Sequence, residues 1–220
     1  RIVLLRNPLH SKLLYNHKYS LKRPNLLPLH HQRQETKMKN QLRIIGGELK
    51  RRVLPFADIE NLRPTPDRVR ETLFNWLMWD VQNAEVLDLC TGSGALSFEA
   101  LSRGAANVTM IEPNAIQAKF LKDNLKLLKI ENCKLHVTTA QQAIRSLSVD
   151  HYDLVFLDPP YSLNLWQELA ANVDSLIKNN GFIYVEADCS LNQLVLPNSW
   201  SLIKETKAGA VRAGLYKKSI

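Results

Sequence analysis

Hydrophobic residues recur with two different spacings after residue 84, and the alternation of these spacings predicts the fold. Apolar runs of strand length predict β-strands covered on both faces, at about 85–89, 107–111, 134–138, 152–157 and 181–186. Helical spacing between these runs predicts helices at about 95–103, 114–128, 140–147 and 163–179. This alternation indicates a parallel sheet with helices on both sides.

Hairpins are predicted at both ends of this pattern. Two strands at about 199–206 and 212–218, joined through Ala208-Gly209-Ala210, predict an antiparallel edge hairpin. The run Arg43–Gly47 followed by Leu49–Leu54 predicts two short strands around a Gly turn. The predicted fold class is α/β: a Rossmann-like, seven-stranded, mostly parallel sheet with an antiparallel C-terminal edge hairpin, plus a small N-terminal β-hairpin.

A further helix is predicted after the N-terminal hairpin. Thr65 is the candidate N-cap and Pro66 the first helical residue. Val69 and the apolar residues at helical spacing after it predict a buried face, and Arg68 and Arg70 point elsewhere. We expect a disordered basic extension over 1–37, an RNA-contacting hairpin over 38–62 and the main α/β domain over 63–220.

The chain has 220 residues, a formal charge of +8 and 45% hydrophobic residues, which is enough to bury a core. Its three cysteines form no CxxC pair, which argues against a disulfide framework or a zinc ribbon and for the cytoplasm. No apolar run reaches the length of a membrane span, so no membrane partner is expected. We expect no metal in the site, and we expect the protein to be a monomer.

The positive charge is concentrated in residues 1–37, which carry +7, whereas the other 183 residues carry +1. Three interpretations of this segment stay open. It is an extension that precedes a natural start at Met38, a basic arm that contacts RNA phosphates, or a transit-like leader. Net charge therefore does not by itself identify nucleic acid as the partner of the remaining chain.

A glycine-rich loop follows the first strand of the alternating pattern. Asp88-Leu89-Cys90-Thr91-Gly92-Ser93-Gly94 lets the backbone approach a ligand, and Glu112 follows the next strand, where a carboxylate accepts hydrogen bonds from ribose hydroxyls. Ser97 replaces the third glycine of a dinucleotide fingerprint. Asp88 offers an acceptor for an α-amino group, directly or through water. The pattern favours S-adenosylmethionine; a tight turn that binds nothing is the alternative.

A second motif, Asp158-Pro159-Pro160-Tyr161, follows the fourth strand. Asp158 and the carbonyl of Pro159 are suited to accept the two N–H bonds of an exocyclic amine, whose lone pair is delocalised into its base. Tyr161 is suited to stack on an extruded base. The motif predicts amine methylation without a metal, with positioning as the source of acceleration. A plain turn is the alternative.

These motifs resemble class I S-adenosylmethionine-dependent amino-methyltransferases. Three stretches narrow the resemblance to the bacterial 16S rRNA (guanine-N2)-methyltransferase family, type D: Arg43–Gly47, Arg63–Leu77 and Glu99–Ala105. The resemblance runs from about Met38 to Tyr216. It implies a guanine N2 acceptor in 16S rRNA, on an assembled or partly assembled small subunit. The motifs alone indicate the amine of a nucleobase as the methyl acceptor, and they do not distinguish guanine from adenine or cytosine.

The predicted site comprises three sets of residues. The catalytic set is Asp158, Pro159 and Tyr161. The cofactor set is Asp88, Thr91, Gly92, Ser93, Gly94, Glu112, Ala140 and Gln141. The RNA-contacting set is Lys50, Arg51, Arg52, Arg68 and Arg70. Two other functions stay open: an amino-methyltransferase acting on a DNA base or a protein glutamine amide, and a noncatalytic RNA-binding assembly chaperone that retains an adenosyl pocket.

Overall fold

The structure is a computed structural model that describes residues 40–219, so the expectations for residues 1–37 lie outside the described residues. Nine strands are present in this range: β1 (Gln41–Arg43), β2 (Val53–Pro55), β3 (Glu85–Asp88), β4 (Asn107–Ile111), β5 (Cys133–His136), β6 (Tyr152–Leu157), β7 (Ile177–Ala187), β8 (Trp200–Ala208) and β9 (Val211–Lys218). The α-helices of the same range are α1 (Asp67–Trp76), α2 (Ala95–Ser102), α3 (Ala115–Leu127), α4 (Ala140–Ile144) and α5 (Trp166–Val173).

Seven strands form one sheet in the order β5-β4-β3-β6-β7-β9-β8. The strands from β5 to β7 pair in parallel, and β9 pairs antiparallel with both β7 and β8. The chain crosses from the β4 side to the β6 side of β3, so the loops after β3 and β6 meet at the carboxyl edge. Ligands of doubly wound sheets bind at such a switch point. The predicted fold class is confirmed.

Apolar side chains form a core on each face of the sheet. One core joins α1, α2 and α3 to the sheet and includes the fully buried Phe74, Phe98 and Phe156. The other core lies under α4 and α5 and includes Trp166 and Val185. The apolar character of the central strands follows from this covering of both faces.

The strands predicted at 107–111 and 152–157 match β4 and β6, whereas the helix predicted at 163–179 is wrong at both ends. Helix α5 begins at Trp166 and ends at Val173, a 3₁₀ turn follows, and β7 already begins at Ile177. The register against β6 shifts within this strand, and Asn180 there has a positive φ of 64°. The bulge absorbs polar residues that interrupt the apolar pattern of the strand.

The predicted helix start at Thr65 is also corrected. Pro66 occupies the N-cap, no side chain caps the helix, and α1 begins at Asp67. Thr65 is buried, and its side chain lies near the carboxylate of Glu186 on β7 instead. It therefore faces the sheet and does not cap the helix.

Residues 40–62, here called the N-terminal arm, contain the small hairpin. Its strands β1 and β2 are shorter than predicted, and they leave residues 44–52 as their connection. Glu99 of α2 accepts the N–H groups of Ile45 and Gly46, at 2.5 and 3.3 Å. Asn124 of α3 donates to the carbonyl of Pro55 at 2.9 Å. These bonds fasten the arm to α2 and α3.

Close packing adds to these bonds at Gly47. This residue has a φ of 73°, and a Cβ there would lie 1.9 Å from the carbonyl oxygen of Ser102. The Ser102 hydroxyl donates to the Gly46 carbonyl and accepts the Leu49 N–H. The arm is therefore in direct backbone contact with the end of α2, where only glycine is accommodated.

None of the helices within residues 40–219 combines the length and the apolar character needed to cross a membrane.

Candidate active site

The candidate site lies where the loops after β3, β4, β6 and β7 meet at the carboxyl edge of the sheet. Parallel pairing of β3 with β6 brings the glycine loop beside the Asp158 motif, and the Leu89 N–H donates to the Phe156 carbonyl at 3.1 Å. Parallel pairing of β3 with β4 brings Glu112 to the other side of the glycine loop. The sheet thus brings together the two predicted motifs, which are about seventy residues apart in sequence.

Gly94 shapes the glycine loop through packing. It has a φ of 84°, and a Cβ there would lie 2.7 Å from Phe98 and 2.8 Å from Leu121. Thr91 closes the loop on β4 because its N–H donates to the Ile111 carbonyl and its hydroxyl accepts the Ile111 N–H, both at 2.9 Å. The loop is therefore a tight turn in which Gly92 is half-buried.

Glu112 completes this turn and keeps acceptor capacity. Its Oε2 accepts the Gly92 N–H at 3.0 Å, and its Oε1 accepts the Asn114 N–H at 2.8 Å. Burial raises the pKa of Glu112, although these two N–H bonds oppose the shift. A carboxylate has about four lone-pair positions. Two remain to accept hydroxyl donors such as those of a ribose, and this acceptor fits the ribose of an adenosyl group.

Asp88 lies at the base of the loop with 2% of its surface exposed. Its Oδ2 accepts the Ser97 hydroxyl at 2.6 Å, and burial raises its pKa to about 7. Ser97, which stands where a dinucleotide fingerprint has glycine, therefore binds the carboxylate that precedes the loop. The suggested contact of Asp88 with an α-amino group stays a prediction.

The remaining predicted cofactor residues differ in exposure. Ser93 is buried in the loop, and Ala140 is buried at the start of α4. Gln141, the next residue of α4, is half-buried at the carboxyl edge of β5. The loop and the α4 start could therefore contribute backbone groups more readily than side chains, and these cofactor roles stay predictions.

The Asp158 motif forms the other wall of the site. Pro159 is buried, and the Tyr161 ring stacks on Trp166, with centroids 5.8 Å apart and an interplanar angle of 26°. Burial first, and then the charges of Glu186 and Asp88, raise the pKa of Asp158 well above its usual range. A carboxylate with a raised pKa is a stronger proton acceptor.

Two residues that hold the walls of the site, one on each side, were not predicted from the sequence. Glu186 on β7 accepts the Tyr161 hydroxyl at 3.1 Å. Gln117 on α3 accepts the Ala57 N–H at 2.8 Å and donates to the Gly92 carbonyl at 2.7 Å, so it joins the N-terminal arm to the glycine loop. Gln117 had no signal in the sequence, whereas Glu186 is an acid within an apolar strand, which was a signal that could have been used.

Four of the five predicted RNA-contacting residues are exposed: Lys50, Arg51, Arg52 and Arg68. Arg70 is a correction, because only 1% of its surface is exposed. Its guanidinium donates to the carbonyls of Thr65 and Arg43, at 3.0 Å each, and to Glu99 at 3.2 Å. Arg70 therefore fastens the arm to the helices and is not accessible to RNA.

Comparisons of sequence agree with this architecture. A family model described as conserved hypothetical protein 95 matches residues 42–217. Ribosomal RNA small subunit methyltransferase D of Haemophilus influenzae is 42% identical over 185 residues, which cover 81% of this chain and 95% of that protein. The Escherichia coli K12 protein of the same name is 41% identical over 184 residues, 81% of this chain and 90% of that one.

Solved structures agree as well. A provisionally assigned methyltransferase of Escherichia coli has a TM-score of 0.75 at 40% identity and covers 82% of this chain and 99% of its own. An RNA methyltransferase of Salinibacter ruber, solved with S-adenosyl-L-homocysteine, shares the fold at 16% identity, with a TM-score of 0.56 over 71% of this chain and 94% of its own. The sequence match spans both motifs, and this chain belongs to the ribosomal RNA small subunit methyltransferase D family.

Proposed function

We propose that the chain methylates the exocyclic N2 amine of a guanine in 16S rRNA, with S-adenosylmethionine as methyl donor. The observation that carries the proposal is the position of the Asp158-Pro159-Pro160-Tyr161 loop beside the glycine loop, at one edge of the sheet. The names of the relatives support ribosomal RNA as the acceptor. The guanine N2 atom and an assembled or partly assembled small subunit are the finer parts of the proposal.

Gly92, Glu112 and the backbone around Gln141 would hold the cofactor, with Asp88 behind the loop. Bound S-adenosylmethionine supplies a methyl group whose bond to sulfur breaks as its bond to nitrogen forms, which leaves a neutral thioether and a cationic amine nitrogen. The chain's task is then to aim the amine lone pair at that methyl group and to remove one proton from the nitrogen.

We assign this task to Asp158 and Pro159. The Asp158 carboxylate and the Pro159 carbonyl accept the two N–H bonds of the amine, which turns its lone pair out of the base plane. The raised pKa of Asp158 suits it to accept the proton that the cationic nitrogen loses, after which solvent takes it up. Tyr161 has one ring face against Trp166, so the base stacks on the other face.

Two basic groups support contact with RNA around this site. The exposed Lys50, Arg51 and Arg52 of the arm and Arg68 of α1 form the first. The second is at the β8–β9 turn, where Lys207 pairs directly with Arg212, which also pairs with Ala187 at the carboxyl end of β7. Like charges directly opposite each other on a sheet are unfavourable without an anion. A phosphate between them removes that cost.

The proposal is tested with small-subunit particles and naked 16S RNA from a strain that lacks this gene. Purified protein and S-adenosylmethionine should methylate guanine N2 in the particles, as read by primer extension and mass mapping. Asp158→Ala should lower the methylation rate by about 100-fold or more while cofactor affinity is retained. Asp80→Ala, at an exposed carboxylate after α1, is the matched control and should keep the normal rate.

Three outcomes would contradict specific parts of the proposal. Near-normal turnover of Asp158→Ala would refute the amine-positioning role of that carboxylate. Methyl groups found on adenine, cytosine or a glutamine amide would replace guanine as the acceptor. Equal rates on particles and on naked RNA would remove the requirement for an assembled subunit.

A further inference from the structure

Glu186 is a buried carboxylate held by neutral donors. Only 3% of its surface is exposed. It accepts the hydroxyls of Tyr161 and Tyr184, at 3.1 and 2.7 Å, and the Thr65 side chain lies nearby. Within residues 40–219, no Lys, Arg or His nitrogen lies within ion-pair distance of it. Burying a carboxylate without a cation is costly, so this position needs an explanation.

The register of the sheet brings Glu186 next to Asp158. Strand β6 pairs in parallel with β7, and the last pair of that ladder is Leu157 with Val185. Asp158 and Glu186 are the residues that follow this pair on the two strands. The fold thus places two carboxylates at neighbouring positions of the carboxyl edge, one in the acceptor motif and one on the adjacent strand.

Glu186 also holds the aromatic residues of the acceptor wall. Its side chain binds the Tyr161 hydroxyl, and its backbone carbonyl accepts the indole N–H of Trp166 at 2.9 Å. Because Trp166 stacks on Tyr161, one residue fixes the tyrosine ring both at its hydroxyl and through its neighbour. The ring plane is therefore set by groups of the protein before a base arrives, which is the preorganisation that positioning requires.

We propose that Glu186 is a positioning residue of the acceptor site, which fixes Tyr161 for stacking and adds negative charge beside Asp158 as the amine nitrogen becomes cationic. This inference rests on the proposed amine methylation. The titratable groups that face the two carboxylates are Asp88 of β3, Cys90 of the glycine loop, and Tyr161 and Tyr184. Each of these groups is neutral or negative, so Glu186 reinforces a negative site.

The charge of Glu186 has a consequence for pH dependence. Burial, then Glu186, then Asp88 raise the pKa of Asp158, and an ionised Asp158 is the form that accepts the amine protons. Activity should therefore fall as the pH drops through the raised pKa of Asp158. A neutral side chain at position 186 removes one cause of the raised pKa of Asp158. The acidic limb of the pH profile of kcat/KM should therefore move to lower pH.

The experiment compares Glu186→Gln with Glu168→Gln, which neutralises an exposed carboxylate on the adjacent α5. The full chain is used, with small-subunit particles as acceptor and cofactor affinity measured by calorimetry. Glu186→Gln should lower kcat by about 10- to 100-fold, change KM less than kcat, and leave the cofactor Kd within about twofold. The acidic limb of its pH profile should move to lower pH. Glu168→Gln should match the wild type in each measurement.

Tyr161→Phe provides the second test, because it removes only the hydroxyl that binds Glu186 and keeps the ring. If Glu186 acts through Tyr161, the double variant should lose less than the product of the two single losses in kcat. This comparison also covers the case in which Glu186→Gln folds poorly, since Tyr161→Phe leaves the buried carboxylate in place and should itself lower kcat.

The outcomes separate this inference from the proposed function. A wild-type chain that methylates guanine N2 while Glu186→Gln keeps the normal kcat and an unmoved acidic limb overturns the role of Glu186 alone. Independent, multiplicative losses in the double variant overturn its action through Tyr161. A wild-type chain that methylates no amine overturns the proposed function and this inference with it.

Discussion

Replacing Arg70 with alanine should destabilise the protein strongly. The guanidinium is buried against Glu99, whose carboxylate is fully buried, and it also satisfies the carbonyls of Thr65 and Arg43. Removing one partner of a buried ion pair costs about 3–5 kcal/mol. Glu99 keeps Arg103 as a second partner, so the lower half of this range is expected. For a chain of this size, that loss lowers the Tm by roughly 6–16 °C.

Thermal and urea unfolding of the full chain would measure this loss. Arg68→Ala is the matched control, because Arg68 lies two residues earlier in α1 and is exposed. We expect Arg68→Ala to change the free energy of unfolding by less than about 0.5 kcal/mol. It should weaken RNA binding instead and reduce its salt dependence by the equivalent of about one phosphate contact.

A free energy of unfolding of Arg70→Ala within about 1 kcal/mol of the wild type, together with RNA binding weakened as in Arg68→Ala, would contradict the structural role of Arg70. That result would mean that the guanidinium is accessible in solution and that the buried contacts with Glu99 contribute little. It would restore Arg70 to the RNA-contacting set.

Three further predictions concern other buried contacts. Burial raises the pKa of Asp88 from 3.8 to about 7, so the stability that its protonated carboxyl contributes is lost as the pH rises through 7. The free energy of unfolding of Asp88→Asn should therefore exceed that of the wild type by up to about 4 kcal/mol at pH 8, and the difference should disappear near pH 4, as urea titrations at both pH values would show. Gln117→Leu should leave the Ala57 N–H and the Gly92 carbonyl unpaired, cost about 2–4 kcal/mol in urea unfolding and weaken cofactor binding in calorimetry. Gly47→Ala should lower stability by about 2–4 kcal/mol in thermal unfolding, because its φ is positive and its Cβ would overlap Ser102.

The central strands were predictable because burial on both faces requires a continuous run of apolar residues, which is visible in the local sequence. Strands β4 and β6 match the predicted ranges since each is an apolar run bounded by polar residues. The start of β7 was missed because Leu176 and Ile177 continue the helical spacing of α5, and polar residues at 178–180 then interrupt the apolar pattern of the strand. The register of β7 against β6 shifts at a bulge around Asn180. The residues that pair with this strand lie elsewhere in the sequence, so the local pattern does not show the bulge.

The two motifs of the site were predictable because glycines and prolines at strand ends mark loops. What holds the loops in place was not, because the partners are remote in sequence. Arg70 was placed on the surface as an arginine usually is, although Glu99 lies 29 residues further on. Glu186 binds Tyr161 across 25 residues, and only the three-dimensional sheet brings them together.

The fastening of the N-terminal arm has a consequence for biosynthesis. Arg70, which binds the Arg43 carbonyl, lies 27 residues further along the chain. The side chains of α2 and α3 that bind the arm's backbone lie 53–69 residues further along it. At a synthesis rate of about 5–20 residues per second, the arm waits roughly 3–14 s for its last partner to be made. During this interval Leu42, Ile44 and Leu54, all buried in the final fold, face chaperones and proteases. The order of translation therefore makes the arm the first part of the described chain to be synthesised and one of the last to close.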